Sequence, residues 1–256
     1  MVLTQSRSDQ SQGPAPIRRQ IVLPRARIVE RIDITKDLWV IKLLPEKPFA
    51  FKPGQYCTIG VDGIERAYSI ASAPHEPFIE LFIELVSEGE LTPRLHELQV
   101  GAEVTMRPSA KGVFTFNPKY SQHLMVATVT GVVPFVSMMR DYLNRRNSGH
   151  FFHILEGASY ADEFTYDTEL NALAMKHPGI LTCLTTVSRP EAERNHYWEG
   201  ACGRVNLIVE DYVASNSIGI EDTLVYLCGH PGMIEDLKER LIPRGFKVVE
   251  ERFWKE

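Results

Sequence analysis

Four consecutive residues, Arg66-Ala67-Tyr68-Ser69, combine a fixed positive charge, an aromatic ring and a hydroxyl inside a run, Ile64–Ala73, that otherwise reads as a strand. In alternating geometry Arg66 and Tyr68 share one face, and Ala67 and Ser69 share the other. A guanidinium pairs with a diphosphate, a phenol ring stacks on a planar heterocycle, and a hydroxyl or backbone amide meets its polar edge. The layout suits a flat, anionic, hydrogen-bonding ligand. A half-buried strand with a surface arginine is the competing reading, and these four residues alone do not separate the two.

Further chemistry-bearing segments follow. Leu124–Phe135 (LMVATVTGVVPF) reads as strand, tight turn and helix start, with Thr128, Thr130 and Gly131 in the turn and Pro134 in the first helical turn. Amides at such a helix start attract phosphate, and Gly131 lets a ligand approach the backbone. A plain strand-to-helix connection competes, because only one glycine is present. Tyr226–Met233 (YLCGHPGM) repeats that grammar and places Cys228, Gly229 and Met233 at the end of a core strand. Cys228 stands where chemistry is expected in an open α/β sheet, but no base is paired with it, so an inert buried thiol competes with a functional one. Ser188-Arg189 and Gly203-Arg204 each put an arginine just after a strand or turn, and two such arginines clamp a phosphate monoester. Gly89-Glu90-Leu91-Thr92 offers amides to a diphosphate, with Thr92 as the N-cap of a short helix.

These segments need elements to hold them. From Arg25 to Phe116, strands are expected at Ala26–Ile34, Leu38–Leu44, Tyr56–Val61, Ala67–Ser72, Phe78–Leu85 and Glu103–Pro108. Pro-Gly, Asp-Gly and Val-Gly turns separate them, and a short helix is expected at Thr92–Leu98. That spacing predicts an antiparallel β-barrel. After Pro118, strands at Leu124–Ala127, Phe151–Leu155, Ile180–Val187, Thr223–Cys228 and Lys247–Phe253 alternate with helices at Phe135–Arg146, Glu163–Ala174, Val205–Tyr212 and Gly232–Ile242. Alternation of this kind predicts a parallel sheet of α/β, Rossmann-like type. The expected organisation is a disordered tail over 1–20, a β-barrel domain over 21–118 and an α/β domain over 119–256.

Composition sets outer bounds. The 256 residues carry a net charge of −5 with 44% hydrophobic and 24% charged residues, which fits a globular chain with a real core and argues against a general nucleic-acid binder. The four cysteines form no C-x-x-C pair, so zinc-ribbon and iron–sulfur spacings are absent and a reducing, cytoplasmic setting is expected. The uncharged run Leu124–Met139 is shorter than the roughly 20 residues of a membrane span. No H-E-x-x-H, G-x-S-x-G or P-loop motif occurs, and His150 and His153 are expected to be structural. Arg18, Arg19, Arg25, Arg27 and Arg31 form either a solvated strand face or a docking patch for an acidic partner.

In this order and on this two-part plan, the segments resemble the ferredoxin–NADP reductase family, in particular its bacterial branch that reduces ferredoxin or flavodoxin. The resemblance spans about residues 25–256. It implies bound FAD and NADP(H), with a separate ferredoxin or flavodoxin as electron carrier and no membrane span; a monomer is expected. By the same resemblance Arg66, Ala67, Tyr68 and Ser69 hold the flavin, Tyr68 stacking on the isoalloxazine and Arg66 meeting the diphosphate. Gly89, Glu90, Leu91 and Thr92 lie on the diphosphate, and Ile83, Glu84, Leu85 and Val86 along the adenosine half. Thr128, Thr130, Gly131, Cys228, Gly229 and Met233 surround the nicotinamide. Ser188, Arg189 and Arg204 hold the 2′-phosphate, which favours NADPH, and Phe253 and Trp254 cover the flavin face and the adenine. The implied chemistry is hydride transfer between nicotinamide and flavin N5, with single electrons passed on, and Ser69, Cys228 and Glu251 orient that contact or handle the flavin proton. An oxygenase reductase component and a flavin-binding module without hydride transfer remain as alternatives.

Three departures from the family pattern stand out. Val129 replaces the first glycine of a T-G-T-G turn and is expected to crowd the nicotinamide side. Gly157-Ala158-Ser159-Tyr160 lacks an arginine carried by some bacterial members, and Lys255-Glu256 extend past the terminal aromatics.

Overall fold

The computed structural model describes residues 23–252. The first half holds six antiparallel strands: β1 (Arg25–Asp33), β2 (Leu38–Pro45), β3 (Tyr56–Val61), β4 (Ile64–Ser69), β5 (Ile79–Glu84) and β6 (Glu103–Met106), with the short helix α1 (Thr92–Glu97) before β6. Their order is β4-β3-β6-β1-β2-β5, and Ala71 N–H donates to Glu80 O (2.8 Å) where the two edges approach. The sheet is thus curled into a barrel-like form.

The second half is a parallel sheet with helices between its strands: β7 (Gln122–Thr128), α2 (Val133–Asn144), β8 (Phe151–Ala158), α3 (Asp167–Lys176), β9 (Leu181–Val187), β10 (Ala201–Cys202), α4 (Val205–Ser215), β11 (Thr223–Gly229), α5 (Pro231–Leu241) and β12 (Lys247–Arg252). The strand order β10-β9-β8-β7-β11-β12 reverses direction between β7 and β11, and such a reversal is where open α/β sheets bind ligands. No helix among the described residues is long and apolar enough to cross a membrane.

Burial explains why these strands read as they do. β7 is apolar on both faces: Leu124 and Val126 enter the core under α4 and α5, while Met125 and Ala127 enter the core under α2. β2 is also buried twice. Trp39, Ile41 and Leu43 fill the barrel, whereas Leu38 and Val40 leave it to pack with Phe82, Phe114, Phe135 and Met138 against the second sheet. The junction between the two sheets is therefore an apolar core, each such side chain contributing roughly 1.5–3 kcal/mol by burial.

Several element bounds differ from expectation. β4 is Ile64–Ser69 rather than Ala67–Ser72, because past Ser69 the chain turns to bond with Gln55 and Glu80. The expected helix Glu163–Ala174 splits into a 3₁₀ turn, Ala161–Glu163, and α3, whose start moves to Asp167. β8 runs on through the small residues Gly157 and Ala158, and two-residue β10 carries too little pattern to be read from sequence. Among the described residues of the arginine-rich stretch, Arg25 and Arg27 are exposed and the Arg31 side chain is not. Arg31 is buried and donates to the carbonyls of His96 and Leu98 (2.7 and 2.6 Å) at the end of α1, and Arg25 pairs with Glu103. Arg18 and Arg19 lie outside the described residues.

Candidate functional site at the junction of the two sheets

A cleft of about 400 Å³ opens where the barrel meets the parallel sheet. β4 contributes Arg66, Ala67, Tyr68 and Ser69, the end of β5 contributes Ile83 and Glu84, and the following loop adds Val86, Gly89, Glu90, Leu91 and Thr92. From the second half come Thr130 and Val133, at the turn into α2. Half of the residues singled out from sequence thus meet in one space. Phe82 and Val133 also line it; both read as plain core residues, and no sequence signal marked them.

The cleft wall is part apolar and part charged. The Tyr68 ring is partly buried against the barrel core, and burial pushes its phenol well above the ordinary range, so the hydroxyl stays neutral. Arg66 stands at the rim, where Nη2 lies 2.5 Å from Glu90 Oε2. Both partners are more than half exposed, so the pair is water-screened and readily exchanged for a stronger anion. A neutral aromatic face beside a guanidinium matches the planar ring and diphosphate that a flavin dinucleotide presents.

Three expectations are corrected here. Leu85 does not line the cleft and packs on the barrel core. Thr92 is not the N-cap; Leu91 holds that position, and Thr92 Oγ1 instead accepts from Val86 N–H (3.0 Å) and faces Val86 O (3.1 Å), closing the loop. Met233 is buried in the core under β11 with Val225 and Leu227, so its side chain does not reach the cleft.

The turn after β7 is built by close backbone approach. A Cβ on Gly131 would sit 2.3 Å from Cys228 O, so the group that requires glycine is the neighbouring strand rather than a ligand. Gly229, at φ +123°, likewise leaves room for Thr128 Oγ1, which accepts from His230 N–H at 2.8 Å. Val129 lies between them at φ +44°, a left-handed backbone that costs a β-branched residue of order 1–3 kcal/mol. Its side chain packs among the neighbours of Ala158, Phe164 and Val187 and does not line the cleft.

Ser69, Cys228 and Glu251 converge. Ser69 Oγ donates to Glu251 Oε2 at 3.1 Å, and Cys228 and Glu251 face each other in the β11–β12 register. Burial raises the Glu251 carboxyl from 4.5 to about 7, partly offset by the bond from Ser69. Cys228 is fully buried; desolvation and the Glu251 charge hold its thiol protonated.

Ser188, Arg189 and Arg204 gather at the carboxyl ends of β8, β9 and β10. Ser188 N–H donates to Ala158 O, and Gly203 N–H donates to Val187 O. Arg189 Nη1 donates to Tyr160 Oη at 2.8 Å, while Arg194 stacks on the same ring at 4.3 Å and bonds Asp162. Buried Asn195 ties this loop together by donating to Ser159 O and Arg189 O and accepting from Ala161 N–H. Neither Tyr160 nor Asn195 carried a motif that would have marked it. Phe253 and Trp254 lie outside the described residues.

Residues 25–116 match the oxidoreductase FAD-binding domain family, and residues 125–239 match the oxidoreductase NAD-binding domain family. The chain is 30% identical over 199 residues to the flavodoxin/ferredoxin–NADP reductase of Escherichia coli, covering 73% of this chain and 77% of that one. The chain belongs to the ferredoxin–NADP reductase family. Ferredoxin–NADP reductase B of Sorangium cellulosum is 33% identical over 202 residues, with 75% and 80% of the two chains covered. In structure, the ferredoxin NADP+ reductase of Neisseria gonorrhoeae, solved with FAD and NADP, superposes with a TM-score of 0.77. It shares 20% identity and covers 90% of this chain and 98% of its own. The barrel-like sheet is thus the FAD-binding half of the family fold, and the parallel sheet its NADP-binding half.

Proposed function

We propose that this family member moves electrons between NADPH and a separate one-electron carrier, ferredoxin or flavodoxin, through bound FAD. The observation that carries the reading is the shared cleft, walled by Tyr68 and Ser69 from one half and by Thr130 and Val133 from the other. A hydride passes only across a near-attack distance, roughly 3–3.5 Å, so donor and acceptor must meet at such a junction. The flavin supplies hydride exchange at N5 and release of single electrons.

The chain's own residues then take the following roles. Tyr68 stacks on the isoalloxazine, with Ala67 and Ser69 along its polar edge. Arg66, paired with Glu90 here, would hold the diphosphate together with Gly89, Leu91 and Thr92. Ile83, Glu84 and Val86 follow the adenosine half. Thr128, Thr130, Gly131 and Gly229 shape the nicotinamide end, and Ser188, Arg189 and Arg204 bind the 2′-phosphate. Glu251, whose carboxyl is raised to about 7, takes up or gives up a proton near neutral pH with Ser69 Oγ as its hydrogen-bond partner. Cys228 keeps its proton and contributes shape beside the nicotinamide. We place the boundary between the halves near residue 118 and the protein, as a monomer, in the cytoplasm, consistent with four free cysteines.

Anaerobic mixing of the FAD-loaded protein with NADPH or NADH tests the reading. Bleaching of the visible flavin absorption by NADPH, followed by reoxidation with ferredoxin or flavodoxin, is expected. Bleaching by neither nucleotide refutes it and favours a flavin-binding module; reoxidation only by an oxygenase partner favours an oxygenase reductase.

A further inference from the structure

The interface between the two halves contains, besides its apolar core, a charged cluster that none of the functional motifs includes. Arg140, on α2 of the NADP half, has a side chain only 16% exposed and lies among three carboxylates. Its Nε and Nη2 donate to Glu169 Oε1 and Oε2, both at 2.7 Å, in a two-pronged pair with α3. Across the interface Nη1 and Nη2 each lie 3.3 Å from Glu80 Oε1, and Nη1 lies 3.6 Å from Glu76 and 3.4 Å from Ala71 O. Tyr166 completes the cluster: its hydroxyl donates to Glu80 Oε1 at 2.8 Å, and the guanidinium stands 5.6 Å from its ring centroid. One turn earlier on α2, buried Ser137 donates to Ser72 O at 2.7 Å, and Ser72 Oγ accepts from Glu80 N–H.

The anchor points are significant for where they fall. On the FAD half, Ala71 and Ser72 lie two and three residues past Ser69, the end of the strand that carries Tyr68. On the NADP half, Ser137 and Arg140 lie one and two turns beyond Val133, which lines the cleft together with Thr130. An α-helix transmits position rigidly along its axis at 1.5 Å per residue. Tyr166 also packs edge-on to Phe82, a wall of the cleft, with centroids 5.9 Å apart. None of Glu76, Glu80, Arg140, Tyr166 or Glu169 lines the cleft itself.

We infer that Arg140 is a positioning residue for hydride transfer: by drawing Glu76 and Glu80 of one half and Glu169 of the other onto one guanidinium, it fixes the separation between the Tyr68–Ser69 strand and the Thr130–Val133 turn. The apolar contacts alone hold the halves together but are non-directional; the fork of the guanidinium fixes orientation. Without it, three carboxylates face one another across the interface, two from one side and one from the other, and the halves separate slightly. The inference rests on the proposed NADPH–flavin reaction.

The test uses Arg140→Lys, and Glu169→Gln as a milder second variant because Glu169 is the most exposed member of the cluster. Both FAD affinity, by fluorescence titration, and 2′-phospho-AMP affinity, by calorimetry, are expected to stay at wild-type values, since each ligand is held within one half. Single-turnover flavin reduction by NADPH is expected to slow by at least about tenfold in Arg140→Lys, a misplacement of an ångström sufficing for such a loss. Hydrogen exchange at residues 70–73 is expected to accelerate in parallel, with KM for NADPH unchanged. Glu169→Gln is expected to give the same pattern in smaller measure. Flavin reduction at the wild-type rate in folded, FAD-loaded Arg140→Lys or Glu169→Gln overturns the inference and leaves the cluster a fold-stabilising one. Loss of both ligand affinities in step with the rate overturns it as well. A wild-type protein that NADPH does not reduce refutes the functional reading instead; the two failures are distinguished because exchange at 70–73 in the variants is measured without any turnover.

Discussion

Ser69 Oγ donates a hydrogen bond of 3.1 Å to Glu251 Oε2, joining the last residue of a barrel strand to the last strand of the parallel sheet across 182 positions of sequence. The bond ties a hydroxyl that lines the cleft to a carboxyl that burial raises to about 7.

Glu251 gives a pH prediction with a definite sign. Its folded carboxyl is raised to about 7 from 4.5, so between those values the folded state holds a proton that the unfolded chain has lost. Stability contributed by the protonated form is complete below pH 4.5 and lost as pH rises through about 7. Glu251→Gln therefore raises Tm at pH 8 and leaves it nearly unchanged at pH 4.5. In single-turnover reduction, the wild-type rate is expected to change through about pH 7, and the variant is expected to be flat there. A wild-type profile with no inflection near 7 removes Glu251 from proton handling.

Glu156 is expected to behave as a destabilising acid unconnected to turnover. It is 1% exposed on β8, neither carboxyl oxygen has a partner, and burial, followed by the Asp167 charge, holds it well above the ordinary carboxylate range. The sign matches that of Glu251: stability falls as pH rises above 4.5. Glu156→Gln is expected to raise Tm at pH 8, by about 2–4 °C for each kcal/mol relieved, with NADPH-dependent reduction unchanged. A lower Tm at pH 8 contradicts this account.

Arg189→Ala and Arg204→Ala should each lower kcat/KM for NADPH by about 10- to 100-fold, the worth of one charged hydrogen bond to phosphate. NADH has no 2′-phosphate, so its kcat/KM should hold. An equal loss with both nucleotides places these arginines outside phosphate recognition.

Val129→Gly sets two effects against each other. Glycine relieves the strain at φ +44°, about 1–3 kcal/mol. It also removes a partly buried side chain worth roughly 1.5 kcal/mol and loosens the unfolded chain by about 0.4–1 kcal/mol. The net change in stability is expected to stay within about 1.5 kcal/mol by denaturant titration. FAD affinity should not change, because the side chain lies outside the cleft; weakened FAD binding would show that Val129 shapes the flavin site.

Much of this protein is determined locally and is therefore legible in its residues. Period-two runs divided by Gly and Pro turns gave the barrel strands, and doubly apolar runs such as Leu124–Ala127 gave the parallel sheet, since side-chain periodicity records which faces are buried. Arg66-Ala67-Tyr68-Ser69, Gly89–Thr92 and Thr128–Gly131 could be singled out because each is a contiguous segment whose composition carries its own chemistry. The tertiary structure decided everything that depends on residues distant in sequence. It turned Leu85 and Met233 into the cores, gave Thr92 a loop to close, and set Gly131 against Cys228 rather than against a ligand. It raised Glu251 toward neutrality by burying it beside Ser69, and it collected Glu76, Glu80, Arg140, Tyr166 and Glu169 from three separate stretches into one cluster. Hydrophobic period is a property of neighbours along the chain, whereas desolvation, backbone approach and charge pairing depend on which surfaces meet in space.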